Sequence, residues 1–324
     1  MTWRLFEQLQ IAAEEPQRIK RFYSVTGDIL AYEICPRQYG LYNHRRYRTA
    51  HSIQLWFGLV VHQVLNNLHA TYQEERERSG VKRIPTDDDV SLAFEQVCDS
   101  LNKRGIRWMD KDERDRAQDV LKAFNRIEGP TLFRNIVDTE YPLKSDRGDF
   151  YLEGIVDILV DGSGTSTPPF CENVEIWDYK ASRKPDTSKP GKAGLKEAKK
   201  IEKYEFQMLV YASLYRMKTG KFPKRGVLYF MNELADLRDP TTPLEAIRER
   251  ATITFDFTDP NLQGKIDRAL EDFSQTVGLI EEHKALDSWP APDAITDPDT
   301  CSACDLRWDC QSDEVKRFVK MRYP

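Results

Sequence analysis

The sequence predicts an α/β or α+β fold, in which a sheet flanked by helices carries a helical addition. Apolar residues recur at helical spacing in the first part of the chain, up to about residue 134. From residue 136 the pattern changes, because three neighbouring segments are rich in β-branched and aromatic residues and are separated by turn-forming residues. A long helix pattern and two more strand patterns follow. This order is typical of a central sheet covered by helices.

The N-terminal part is predicted to be helical. A short amphipathic helix is predicted over residues 1–20, and Ser24 or Thr26 could cap a second helix that ends before Pro36. Apolar residues at helical spacing predict a third helix over 52–75.

The rest of the chain divides into an insertion, a core and a C-terminal segment. The strongly charged stretch 76–134 predicts a helical insertion, with breaks near Gly80, Pro85, Gly105 and Gly129. Strands are predicted over 136–144, 150–160, 173–180, 226–232 and 251–257, with helices over about 195–219 and 260–284. The predicted organisation is an N-terminal helical part at 1–75, the insertion at 76–134, the core at 135–290 and a cysteine-bearing segment at 291–324.

Composition and charge exclude some classes of protein. At 324 residues and 40% hydrophobic content the chain can bury a sizeable core. It contains no run of about 20 apolar residues and no secretory pattern, so we expect a cytoplasmic protein that does not enter a membrane. The net charge of −5 argues against an unselective DNA coat. Residues 180–203 nevertheless hold nine basic and three acidic residues, a local patch that could bind nucleic acid.

Two carboxylates and a lysine are predicted to meet on adjacent strands. Asp178 and Lys180 lie two apart on one strand and therefore face the same side, and Asp157 lies on the preceding strand. Acids clustered in apolar strands repel one another, so a cation is expected between them. Oxygen ligands suit Mg²⁺ or Mn²⁺. We therefore expect in-line hydrolysis of a phosphodiester, although any one of these acids could simply end a strand.

Three further residues are candidates for this site. Gln207 and Tyr211 are one helical turn apart and could hydrogen-bond to Lys180 or to a DNA backbone, although a core tyrosine beside an exposed glutamine is the simpler interpretation. His62, on the earlier helix, is interpreted as a metal ligand or as a residue that supports one, although a lone histidine is more often structural.

Six segments together resemble the RecB-type nucleases of the PD-(D/E)XK superfamily, and most closely the CRISPR-associated exonucleases and AddB-type proteins that carry an iron-sulfur cluster. They run in the order of the family and span nearly the whole chain: SVTGDILAYEICPRQYGLY (24–42), GLVVHQVLNNL (58–68), EGIVDILV (153–160), IWDYKAS (176–182), QMLVYASLY (207–215) and CSACDLRWDC (301–310). Residues 76–134 and 233–250 fall outside the resemblance.

The resemblance implies a restriction-endonuclease-like core with a central mixed sheet, and it assigns roles to the candidate residues. His62, Asp157 and Asp178 would bind the divalent metal, with the Tyr179 carbonyl as a further ligand. Lys180 would be catalytic, and Gln207 and Tyr211 would complete the site. The chain is longer than the minimal CRISPR-associated members, which leaves the subfamily open.

Four cysteines are candidate ligands of a cluster. Cys301, Cys304 and Cys310 crowd the C-terminal segment, and the resemblance makes Cys35 the fourth ligand. Four thiolates suit a 4Fe-4S cluster or structural zinc, and spacing alone does not decide between them. The resemblance favours iron and sulfur, in a structural role. Cys98 is predicted to lie in the core.

The leading hypothesis is a DNA exonuclease that acts on single-stranded or frayed ends. Its DNA contacts would come from Arg183, Lys184, Lys196, Lys199, Lys200 and Lys203. A second hypothesis is a subunit that binds and processes DNA ends for a partner integrase or helicase. The chain has no G-x4-G-K-[ST] phosphate loop, so any unwinding motor must be a separate protein. A third hypothesis is an endonuclease of restriction type.

Overall fold

The structure is a computed structural model. It describes residues 20–45, 53–80, 83–163, 173–236 and 242–291, together with positions 300, 301, 304, 305, 307 and 310. The helix predicted over 1–20 and most of the C-terminal segment 291–324 lie outside the described residues.

A mixed sheet of six strands forms the centre of the described fold, as the sequence predicted. The strands are β1 (Arg21–Ser24), β2 (Ile136–Asp146), β3 (Phe150–Asp161), β4 (Val174–Lys180), β5 (Arg225–Phe230) and β6 (Thr252–Asp256). Neighbours pair in the order β1, β3, β4, β5, β6, and β2 pairs with β3. The β1–β3 and β4–β5 pairs are parallel and the others antiparallel. All five predicted strands are confirmed, whereas β1 was not predicted because its four residues run directly into a helix.

Six helices of eight residues or more surround the described part of the sheet. They are α1 (Ile53–Ser79), α2 (Asp87–Lys103), α3 (Lys111–Asn135), α4 (Lys192–Thr219), α5 (Leu244–Ala251) and α6 (Pro260–Ala285). Short helical turns fill 25–44, where Ser24 caps the first turn by accepting the Gly27 N–H at 3.1 Å. The chain leaves helical geometry at Cys35, before Pro36, as expected.

The insertion is helical as predicted, but one predicted break is wrong. Gly80 and Gly105 end helices with positive φ angles of 69° and 80°, which glycine adopts without strain. Helix α3, in contrast, continues through Gly129 and Pro130 to Asn135. A proline removes one helical hydrogen bond, but the turns beyond it bury Leu132 and Phe133, and this burial keeps the helix intact.

Apolar side chains cover both faces of the sheet. Trp177 and Tyr229 pack on one face with helices α1, α2 and α3. Ile176 and Leu228, their neighbours along the strands, pack on the other face with α4 and α6. This alternation follows from the two-residue repeat of a strand. The insertion therefore shares one core with α1 and the sheet.

One edge of strand β3 is unpaired over a short stretch, and this stretch positions the site. Strand β2 pairs along one edge of β3, and the other edge is divided between β1, at residues 150–153, and β4, at residues 158–161. Asp157 lies in the gap between them. The alternation also breaks here, because Val156 packs in the core beside α4 and Ile158 packs in the core beside α1. The carboxylate of Asp157 thus occupies a point where the sheet opens.

Candidate active site

Asp157 is held at the opening of the sheet by two contacts. Its Oδ2 accepts the backbone N–H of Tyr179 at 2.7 Å, so the end of β4 is tied to β3 through this side chain. Its Oδ1 lies 3.5 Å from Nδ1 of His62, on helix α1. Burial disfavours the charged imidazolium, but the hydrogen bond and negative charge of Asp157 outweigh it and raise the pKa of His62 to about 9.

Asp178 and Lys180 form an ion pair within a largely buried site. Lys180 Nζ lies 2.6 Å from Asp178 Oδ2, and the two side chains are 16% and 7% exposed. Burial raises the pKa of Asp178, and the charge of Asp157 adds to this, although Lys180 opposes it. Asp178 Oδ2 is fully buried, and the Lys180 ammonium is its partner.

Helix α4 holds this pair in place through Gln207. Its Oε1 accepts a hydrogen bond from Lys180 Nζ at 2.8 Å. Its Nε2 donates to Asp178 Oδ1 at 2.8 Å and to the Tyr211 hydroxyl at 3.1 Å. Tyr204 lies one turn before Gln207, and the centre of its ring is 5.0 Å from Lys180 Nζ. The amide therefore fixes the positions of both charged groups.

A glycine on β3 makes room for Tyr211. A Cβ at Gly154 would come within 2.7 Å of the Tyr211 ring. Only a residue without a side chain permits helix α4 to place Tyr211 this close to the strand. The EGIVD segment therefore supplies both Asp157 and the space in which the α4 side chains approach it.

The two carboxylates fit a divalent cation. Among the described residues, no three His, Cys, Asp or Glu side chains are grouped as a metal site. However, Asp157 and Asp178 both line one cleft, and carboxylate oxygens are the ligands that Mg²⁺ and Mn²⁺ prefer. Asp157, His62 and the Tyr179 carbonyl remain the candidates for the other positions, and water completes such sites.

The charged cluster opens into a cleft of about 800 Å³. The predicted residues His62, Asp157, Asp178, Tyr179, Lys180, Gln207, Tyr211 and Lys200 line it. The structure also brings in residues that the sequence did not indicate, namely Thr26, Phe57, Glu113, Arg116, Ile155, Ala181, Ser182, Tyr204 and Asn232. Thr26, Ile155, Ala181 and Ser182 lie in segments that carry the family resemblance, and Tyr204 lies one turn before Gln207.

The basic residues predicted to contact DNA are not all equivalent. Lys196, Lys199 and Lys203 line a second cavity of about 430 Å³, and Lys200 lines both this cavity and the cleft. Lys184, in contrast, donates from Nζ to the Glu249 carbonyl at 2.7 Å, which ties it to helix α5. Arg183 is exposed beside it.

The C-terminal cysteines approach the segment that carries Cys35. The Tyr42 hydroxyl lies 3.9 Å from Cys304 Sγ, and Arg37 Nη1 lies 4.0 Å from Cys310 Sγ. Burial raises the pKa of Cys35, and the nearby thiols of Cys304 and Cys310 add to the shift. Cys301 is linked through its carbonyl, which accepts the Cys304 N–H at 3.2 Å.

Among the described residues, these four cysteines form no disulfide, and they are not grouped as a metal site. Cys98 is buried in the core, as predicted.

The described fold, a mixed sheet flanked by helices, agrees with that of one nuclease superfamily. The model of the PD-(D/E)XK nuclease superfamily matches residues 27–311. The chain belongs to this superfamily. No described helix is long and apolar enough to cross a membrane.

Comparison with individual proteins adds little. No curated protein matches the chain. A crystal structure from Eubacterium rectale, described provisionally as an exonuclease, aligns with a TM-score of 0.44 and 13% identity, over 84% of this chain and 87% of that one. This degree of likeness supports no conclusion about the function of the present chain.

Proposed function

We propose that the protein is a metal-dependent DNA nuclease that hydrolyses phosphodiester bonds at single-stranded or frayed ends. The observation that carries this proposal is the placement of two carboxylates, Asp157 and Asp178, beside the Lys180 ammonium in one open cleft. Clustered carboxylate oxygens are the ligands that Mg²⁺ and Mn²⁺ prefer, and a nearby ammonium can offset charge that develops on a phosphate.

The residues of the site have distinct roles in this proposal. Bound Mg²⁺ or Mn²⁺ would polarise a phosphate oxygen and activate water. Asp157 and Asp178 bind the ion, with His62 and the Tyr179 carbonyl. Lys180 places its ammonium beside the scissile phosphate, where it offsets the charge that develops during cleavage. Gln207 keeps that ammonium within reach by accepting its hydrogen bond.

The surroundings of the cleft support a nucleic-acid substrate. Lys200 lines both the cleft and the cavity that Lys196, Lys199 and Lys203 line, so a row of lysines continues along helix α4 from the site. Glu33, Glu202 and Asp272 line the same cavity and offset part of this charge. Lysines arranged in this way follow a phosphate backbone. We assign these four residues, with Arg183, to DNA contacts.

The cysteines are proposed to hold a 4Fe-4S cluster, with zinc as the alternative. The approach of Cys304 and Cys310 to the Cys35 segment, across more than 260 residues of sequence, supports this assignment. Such a link would join the two ends of the domain and stabilise it by restricting the unfolded chain. As an iron-sulfur member of the RecB-like group, the protein would act with a partner integrase or helicase.

The test is cleavage of end-labelled single-stranded DNA with added Mg²⁺ or Mn²⁺. The wild-type protein should shorten the strand, and Asp178→Asn should not, because the amide keeps the shape of the side chain but loses its charge. The matched control is Asp267→Asn, whose carboxylate pairs with Arg216 on the surface. Equal cleavage by Asp178→Asn and wild type would refute the site. Strand binding without cleavage under any metal would favour the end-binding subunit.

A further inference from the structure

The helical insertion reaches the candidate active site, although it lies outside the segments that resemble known nucleases. Glu113 and Arg116, from the first turns of helix α3, line the same cleft as Asp157, Asp178 and Lys180. Phe57, from helix α1, lies beside them. The insertion thus contributes to the lining of the cleft, to which Lys200 and Tyr204 of helix α4 also contribute.

Arg116 differs from other arginines of the same helix. Arg114 pairs with Glu95 at 2.5 Å, and Arg126 pairs with Asp87 at 2.8 Å, so both are engaged within the insertion. Arg116 is exposed and forms no ion pair with any residue that the structure describes. Its guanidinium instead lies 5.3 Å from the centre of the Phe57 ring, which is 4% exposed.

This stacking prepares Arg116 for a phosphate. A guanidinium that lies over an aromatic ring keeps its N–H groups at the edge free for bidentate hydrogen bonds, and these match a phosphate. The neighbouring acid is engaged elsewhere, because Glu113 accepts the Met109 N–H at 2.8 Å near the start of the helix. The cation is therefore available to the cleft.

The cleft is large enough to hold part of a nucleic-acid strand. Its volume of about 800 Å³ falls within the ~300–1,000 Å³ of pockets that enclose a small organic molecule. The cleft also offers the Tyr204 ring, and aromatic rings with nearby cations are the usual features of single-strand sites.

We propose that Arg116 binds a backbone phosphate of a single DNA strand in the cleft, so that the insertion contributes to substrate binding. This inference rests on the proposed function for the nature of the substrate, but it concerns binding and not cleavage. Arg116 is a substrate-binding residue in this proposal, since its guanidinium would contact the strand directly in the cleft that Asp178 and Lys180 also line.

The test is the affinity of the full chain for a fluorescent oligothymidylate, measured by anisotropy over a series of salt concentrations. The Asp178→Asn background without added divalent metal prevents degradation. Arg116→Ala should weaken binding by about tenfold. It should also make the slope of the logarithm of the association constant against the logarithm of the salt concentration shallower by about 0.7, which is the change expected when one phosphate contact to a single strand is lost. Arg116→Lys should keep the slope but bind more weakly, since lysine does not make the bidentate contact.

The matched control is Arg126→Ala, which removes the same side chain from the same helix outside the cleft and should change neither quantity. Equal affinity and slope for Arg116→Ala and the parent would overturn the inference, as would a parent that does not bind the oligothymidylate. If wild-type protein cleaves no DNA but Arg116→Ala still lowers the affinity and the slope, the proposed function fails and the inference stands.

Discussion

The ion pair between Glu128 and Arg248 gives a prediction about how the insertion is attached. Glu128, on helix α3, is fully buried, and Arg248, on helix α5, is 39% exposed. Arg248 donates from Nε at 3.0 Å and from Nη2 at 2.6 Å to the two carboxylate oxygens. Replacement of Arg248 by leucine would leave a buried carboxylate without its partner.

The size of the effect follows from this burial. Removal of one partner of a buried ion pair costs about 3–5 kcal/mol. Because Arg248 is partly exposed, water can replace some of its interaction, and we expect Arg248→Leu to lower the free energy of unfolding by about 2–3 kcal/mol. The double variant Glu128→Gln with Arg248→Leu should recover part of this loss, since no buried charge remains.

The assay is urea unfolding of four proteins, namely the wild type, Glu128→Gln, Arg248→Leu and the double variant. Arg126→Leu is the control, because its ion pair with Asp87 is exposed on both sides and should contribute less than ~1 kcal/mol. The reasoning would be refuted if Arg248→Leu lowered the free energy of unfolding by less than ~1 kcal/mol. It would also be refuted if the double variant were less stable than Arg248→Leu.

Three further predictions concern the site and the cysteines. Gly154→Ala should destabilise the protein by about 1–3 kcal/mol and reduce cleavage, because the new Cβ displaces the Tyr211 ring; unchanged unfolding and activity would contradict this contact. Gln207→Met should reduce the cleavage rate by about 10–100-fold with little change in KM, since Lys180 loses its hydrogen bond; a change in KM alone would indicate a role in binding. Cys304→Ser should remove most of the iron found after anaerobic purification, and a colourless wild-type protein with stoichiometric zinc would contradict the iron-sulfur assignment.

Strand patterns were the most informative part of the sequence for the fold. The segment VEIWDYK alternates between two buried faces, and this period predicted both strand β4 and the common side of Asp178 and Lys180. The break expected at Gly129 was wrong because burial of Leu132 and Phe133 in the following turn stabilises the helix more than the glycine and the proline destabilise it. Strand β1 was missed because its pairing with β3 is a long-range contact that four residues do not encode.

The site was predictable only in part. The spacing of Gln207 and Tyr211 placed them on one helix face, and the family resemblance assigned them roles. Neither argument predicted that Gln207 contacts both Lys180 and Asp178. Arg116 and Phe57 carried no sequence signal, since they enter the cleft only through the packing of helices α1 and α3 around the sheet. The opening of β3 at Asp157 likewise depends on how three strands share its edges.

The most direct test of the central claim is the rate at which Lys180→Ala cleaves single-stranded DNA at saturating Mn²⁺. If Asp157, Asp178 and Lys180 form one phosphodiester-cleaving site, the rate should fall by about 10²–10³-fold, the typical loss when one group that stabilises developing charge is removed. A variant that cleaves within about threefold of the wild-type rate would contradict the account, because this factor corresponds to only ~0.7 kcal/mol of activation free energy.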